Sequence, residues 1–135
     1  MANYGLYTSI DVNTLKKNAS NIKSQIPSNK SALSSHKGTL TDDIWKAGAK
    51  TTLTTAYDKI ESEVYQELED ALTNIETVCG YISQYKTAEE NAKTLIDSIN
   101  SAAKDVDTSG LQQQLIDQEN QMNQAENAVN GLCGG

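Results

Sequence analysis

The chain has 135 residues and a formal net charge of −7, and 37% of its residues are hydrophobic. It contains no Phe, one Trp and one Pro, so it can hold one domain at most and has little material for a thick globular core. The absence of Arg and the acidic balance speak against nucleic-acid binding, which needs a basic surface.

The charge is unevenly spread. Through Lys50 it sums to +4, and from Thr51 onward to −11. Such a split suits a solvated acidic helix, or a basic first helix lying along an acidic second one. The opening stretch MANYGLYTSIDVN has no basic region and no apolar core, so no signal peptide is expected there. No apolar run approaches the roughly 20 residues of a membrane span.

The first helical pattern places Val12, Leu15, Ala19, Ile22, Ile26, Leu33 and Leu40 on a 3-4 spacing, with Asn29 and His36 filling the gaps. Asp11 or Ser9 can cap its start. The predicted helix covers about 10–40 and should kink or break near Pro27. An elbow at about 41–50 follows, holding Trp45 and Gly48, with Thr41, Asp42 or Asp43 capping the next helix.

That helix is predicted over about 51–106. Its seam runs Tyr57, Val64, Leu68, Ala71, Ile75, Val78, Ile82, Tyr85, Ala92, Ile96, Ile99, Ala103 and Val106, with Glu61 and Glu89 as polar interruptions. One continuous helix of roughly 55 residues would be on the order of 80 Å long. Gly80 would cost it about 1 kcal/mol and mark a soft point. The stretch DTSG at 107–110 is the expected stop.

A third helix over about 111–130 repeats the spacing with Leu111, Leu115, Gln118, Met122, Ala125, Val129 and Leu132, before a flexible tail at 131–135. Short connections between helices favour antiparallel neighbours. The expected fold is all-α: an elongated antiparallel helical hairpin with a long central helix and a C-terminal helix folding back on it. The whole is read as a single helical domain. A seam this narrow buries little alone, so a homodimer or a partner chain is expected to complete the bundle.

The isolated cysteines, Cys79 and Cys133, form no zinc spacing. In heptad frames both take position e, which makes a disulfide between them a borderline prospect. If Val106 opposes Leu111, Cys133 should face residue 84. With one His, His36, and no phosphate loop, nothing assembles a catalytic or metal-binding set, and no cofactor is expected. The pairs Asp42-Asp43 and Glu89-Glu90 read as caps and solvated faces.

A helix, an elbow carrying Trp45 and Gly48, and a second antiparallel helix resemble the WXG superfamily, small helical proteins linked to type VII secretion in Gram-positive bacteria. The family's tryptophan-glycine signature is altered here to WKAG, with one extra residue between Trp45 and Gly48. The added third helix makes the chain more similar to the elongated partners of LXG-type toxins. The resemblance implies a non-enzymatic targeting protein that binds the helical N-terminal domain of a larger LXG-type effector, or a second small helical protein. It implies a cytoplasmic protein before export of the effector, and leaves open whether this chain itself follows by a route independent of a signal peptide.

The family's export signal is a Tyr-x-x-x-Asp/Glu tetrad after the second helix. Four stretches match: Tyr7 to Asp11, Tyr57 to Glu61, Tyr65 to Glu69, and Tyr85 to Glu89. Tyr-acid pairs at i,i+4 also arise on any such helix. Position favours Tyr85 and Glu89. The reading from a different class is a self-assembling structural coiled-coil protein, such as a phage or surface-filament component.

Overall fold

A computed structural model describes residues 2–39 and 47–134, with side chains from residue 51 onward in the second stretch. Most of the described residues are helical, and none of them is in a strand. They form α1 (Val12–Gly38), α2 (Ala47–Lys59), a π-helical segment (Ile60–Val64), α3 (Tyr65–Ser101) and α4 (Ser109–Cys133). Residues 41–46 of the elbow expected at about 41–50, Trp45 among them, lie outside the described residues, while 47–50 are already helical and Gly48 falls in the first turn of α2. The chain divides into two compact units, residues 16–76 and residues 1–15 with 77–135.

In the unit spanning 16–76, α1 begins just upstream on Asp11, one of the two caps the sequence offers. The Asp11 carboxylate accepts the Thr14 amide at 3.1 Å and the Thr14 hydroxyl at 2.8 Å, and these bonds hold its pKa below the ordinary carboxylate value. The helix continues through Pro27 rather than breaking at Ile26. Pro27 is exposed, while Ala19 and Ile26 on either side of the freed backbone acceptor are buried and anchored in the core. That core joins Ala19 and Ile26 to Leu72, with Tyr65 and Ile75 packed against them. Lys23 pairs with Glu76 at 3.9 Å and Lys37 with Asp58, so the two helical stretches run in opposite directions within the unit. Both pairs are largely solvated and fix register more than stability.

The long seam is not continuous as expected. Tyr65 donates its amide to the Ile60 carbonyl, an i to i+5 bond, and the five residues from Ile60 to Val64 are π-helical. One extra residue in that turn shifts the inner face of the turns just after it by about one position, and the expected seam resumes at Ile75, Ile82, Tyr85 and Ala92. Val64, Leu68 and Ala71 therefore face outward, and Tyr65, Glu69, Leu72 and Glu76 take the inner positions.

In the other unit, the C-terminal part of α3 packs with α4. Cys79, Ile82, Tyr85, Ala88 and Ala92 are buried on α3, and Met122, Ala125 and Val129 on α4. Asn91 donates to Gln118 at 3.3 Å across the pair. Gly80 sits inside α3 with no break, and a Cβ there would meet nothing within 4 Å. The helix ends at Ser101, short of the expected 106, where the Ala102 amide turns back to the Ile99 carbonyl at 3.3 Å.

DTSG opens α4 instead of closing α3. Asp107 accepts the Ser109 amide at 2.9 Å, which spares an otherwise unpaired donor at the helix start and lowers the carboxyl pKa. At the other end α4 runs through Gly131 to Cys133, past the expected end at 130, because Val129 is still held in the core. Gly134 then caps it through its amide to the Asn130 carbonyl at 2.7 Å.

Candidate functional site

Two surfaces stand out, one in each unit. The first is the outward face created by the π turn. Ile60, Val64 and Leu68 are 38%, 56% and 40% exposed, at steps of four residues. They form a ridge about 12 Å long, continued by exposed Ala71 and bordered by exposed Glu63, Glu67 and Asp70. On α1 the same contrast divides the heptad. Within the same unit Ala19 and Ile26, seven residues apart, are buried, while Ile22 is 48% exposed. Complete burial of such a side chain is worth about 1.5–3 kcal/mol, and these half-exposed ones forgo part of it. A row of them at helical spacing forms an unpartnered apolar stripe, edged by exposed Lys59 beside Ile60 and by Glu63 and Glu67 beside Val64 and Leu68.

The second surface lies on α3 and α4 beneath residues 2–10. That segment folds as consecutive turns, Thr8 amide to Gly5 carbonyl at 3.3 Å and Ile10 amide to Tyr7 carbonyl at 3.1 Å. Gly5 has φ +79°, a conformation that favours glycine. Each handhold is specific. The Gly5 amide donates to the Glu89 carboxylate, Tyr4 donates to Glu119 at 2.6 Å, Asn3 to Glu126 at 2.9 Å, and the Lys86 ammonium donates to the Ile10 carbonyl. Lys93 completes the Glu89 carboxylate at 3.3 Å. The Tyr7 ring meets the Tyr85 ring edge-on with centroids 4.8 Å apart, an arrangement favoured by the aromatic quadrupoles.

Tyr85 and Glu89, the favoured export tetrad, are thus brought together but covered, at 1% and 8% exposure. Burial, followed by the nearby Glu89 and Glu126 charges and Tyr7, pushes the Tyr85 phenol up to about 12. Burial together with the Glu119 carboxylate raises Tyr4 as well, and burial with Glu126 raises Tyr7. Among the described residues the Tyr85 hydroxyl has no hydrogen-bond partner. A buried hydroxyl left so costs about 1–3 kcal/mol. Of the other tetrads, Tyr65 with Glu69 and Tyr57 with Glu61 are half-buried in place, and Tyr7 is buried while Asp11 caps α1.

Sequence reasoning missed the docking of residues 2–10. The available signal was two tyrosines flanking a glycine, Tyr4-Gly5-Leu6-Tyr7, in a chain with six tyrosines in all. The cysteines are placed apart in environment. Both are thiols, Cys79 fully buried and Cys133 exposed. The Asn91–Gln118 pair sets a different register from the expected one. Cys79, twelve residues before Asn91, stands level with Asn130, twelve beyond Gln118, so Cys133 lies about 4.5 Å further along the axis.

A groove of about 610 Å³ between α3 and α4 is lined by Tyr81, Ser83, Gln84, Thr87, Gln121 and Gln124 with two alanines, and holds no carboxylate, histidine or thiol. Among the described residues no group of three or more His, Cys, Asp or Glu side chains could hold a metal ion, and no helix is long and apolar enough to cross a membrane. The chain matches no protein-family model, no curated protein and no solved structure.

Proposed function

We propose that this chain is a non-enzymatic helical partner protein of a type VII secretion system, which binds the helical N-terminal domain of a larger LXG-type effector and promotes its export. The observation that supports this most is the outward ridge of Ile60, Val64 and Leu68, edged by Glu63 and Glu67. A helix with an apolar stripe flanked by lysines complements it in both shape and charge. The elongated hairpin and the Trp45–Gly48 elbow belong to the same reading. If Tyr85 and Glu89 serve as the export tetrad, residues 2–10 must leave before anything can read them.

The test is co-expression with the N-terminal domain of an LXG-type effector encoded beside it, followed by size-exclusion chromatography. The two should co-elute, and Val64→Glu or Leu68→Glu should abolish co-elution while leaving the melting curve unchanged. A chain that elutes alone, or that forms large homopolymers through the same ridge, overturns the reading. The second outcome would favour a self-assembling coiled-coil protein.

A further inference from the structure

We propose that the α3–α4 face under residues 2–10 is a peptide-binding site, filled in cis by that segment and built for a turn-forming, aromatic-bearing segment of another protein that also offers a neutral hydrogen-bond acceptor to Tyr85. The cis segment displays the chemistry of recognition. It contributes a backbone amide to Glu89, an aromatic ring edge-on to Tyr85, and a carbonyl to Lys86. Further polar contacts come from Tyr4 to Glu119 and Asn3 to Glu126, both near solvent. Main-chain bonds that hold a segment, with a side-chain pocket that selects it, are how folded surfaces bind peptides.

The fit is incomplete at one atom. Tyr85 is 1% exposed, and its hydroxyl lacks a partner among the described residues. A ligand that accepts a hydrogen bond there makes every contact the cis segment makes and one more. Glu89 and Glu126 act on that hydroxyl electrostatically, so an anionic acceptor would be repelled and a backbone carbonyl or side-chain amide is preferred. The segment holding the site has a Gly at φ +79° and no regular secondary structure, whereas the surface below it is two helices. Elements of that kind open locally at lower cost than the core on which they rest.

The first test is hydrogen exchange on the wild-type chain. The amides of Gly5, Thr8 and Ile10 should exchange at least about tenfold faster than those of α3 around Tyr85 and Ala92. Equal rates would mean the segment opens only when the unit unfolds, and would overturn the proposal.

The second test titrates a fluorescent peptide of residues 2–10 into the full chain. Tyr7→Ala weakens the cis competitor, so that variant should bind the peptide at least about tenfold more tightly than wild type. Adding Glu89→Gln should remove most of the gain. Circular dichroism checks that the variant keeps its helices, and Gly5→Ala serves instead if Tyr7→Ala does not. Equal affinity in wild type and a folded variant overturns the site.

A third arm addresses the hydroxyl. Asparagine or glutamine is scanned through the peptide at positions other than 5 and 7. One such peptide should bind at least about tenfold more tightly than the parent, and Tyr85→Phe should abolish that difference between the two peptides. No gain at any position overturns the acceptor requirement. None of these readouts involves an effector or export.

Discussion

Leu68 and Leu72 are one helical turn apart on α3, yet Leu68 is 40% exposed and Leu72 only 5%. The boundary between the outer and inner faces of the helix runs between them, and the π turn at Ile60–Val64 put it there. Leu72→Ala should therefore destabilise the protein by about 2–5 kcal/mol, because it opens a cavity beside Ala19 and Ile26. Leu68→Ala should change stability by no more than about 0.5 kcal/mol. Urea denaturation of the two variants separates these outcomes. Equal costs would mean the inner face is the unshifted one.

Alkaline titration should release residues 2–10. Tyr4, Tyr7 and Tyr85 all have pKa values above the ordinary 10.0 of a phenol, with Tyr85 at about 12. A raised value in the folded state means the neutral phenol is favoured there. Its contribution is complete below pH 10 and is lost as pH rises through about 12 for Tyr85. Absorbance at 295 nm should show a late-titrating tyrosine fraction, diminished in Tyr85→Phe. The same substitution removes a buried hydroxyl with no described partner, so it should leave thermal stability unchanged or raised.

Gly80→Ala should stabilise the chain by about 0.5–1 kcal/mol. Gly80 is exposed in the interior of α3, and an added Cβ meets nothing within 4 Å. Differential scanning calorimetry should record a higher Tm. A lower one would mean that this point of the helix bends in solution and uses the freedom of glycine.

Asp11→Ala should weaken α1 at neutral pH but not in acid. The Thr14 amide and hydroxyl hold the Asp11 carboxyl below its ordinary value of 3.8. A lowered value in the folded state contributes stability that is present above pH 3.8 and lost as pH falls through the folded-state pKa. The Tm difference between wild type and variant should accordingly be steady from pH 7 to about 5 and vanish near pH 2. A difference that persists at pH 2 would place the capping elsewhere.

Helical class, Asp11 as one of two candidate caps and most of the inward row of α4 were legible in the sequence, because each depends on local spacing and local hydrogen bonds. Apolar residues at 3-4 intervals specify a helix and one face of it wherever the backbone keeps its ordinary pitch. The sequence could not tell which face of the 60–72 stretch is inner, since a single i to i+5 turn moves it by one residue and leaves no mark in the pattern. Nor could it separate DTSG as a stop from DTSG as a start, because the same Asp and Ser serve either role until the neighbouring backbone decides. The covering of Tyr85 and Glu89 was beyond it for a further reason. Gly5 and Glu89 are 84 residues apart, and their contact forms only after α3 and α4 have packed into a surface that residues 2–10 can occupy.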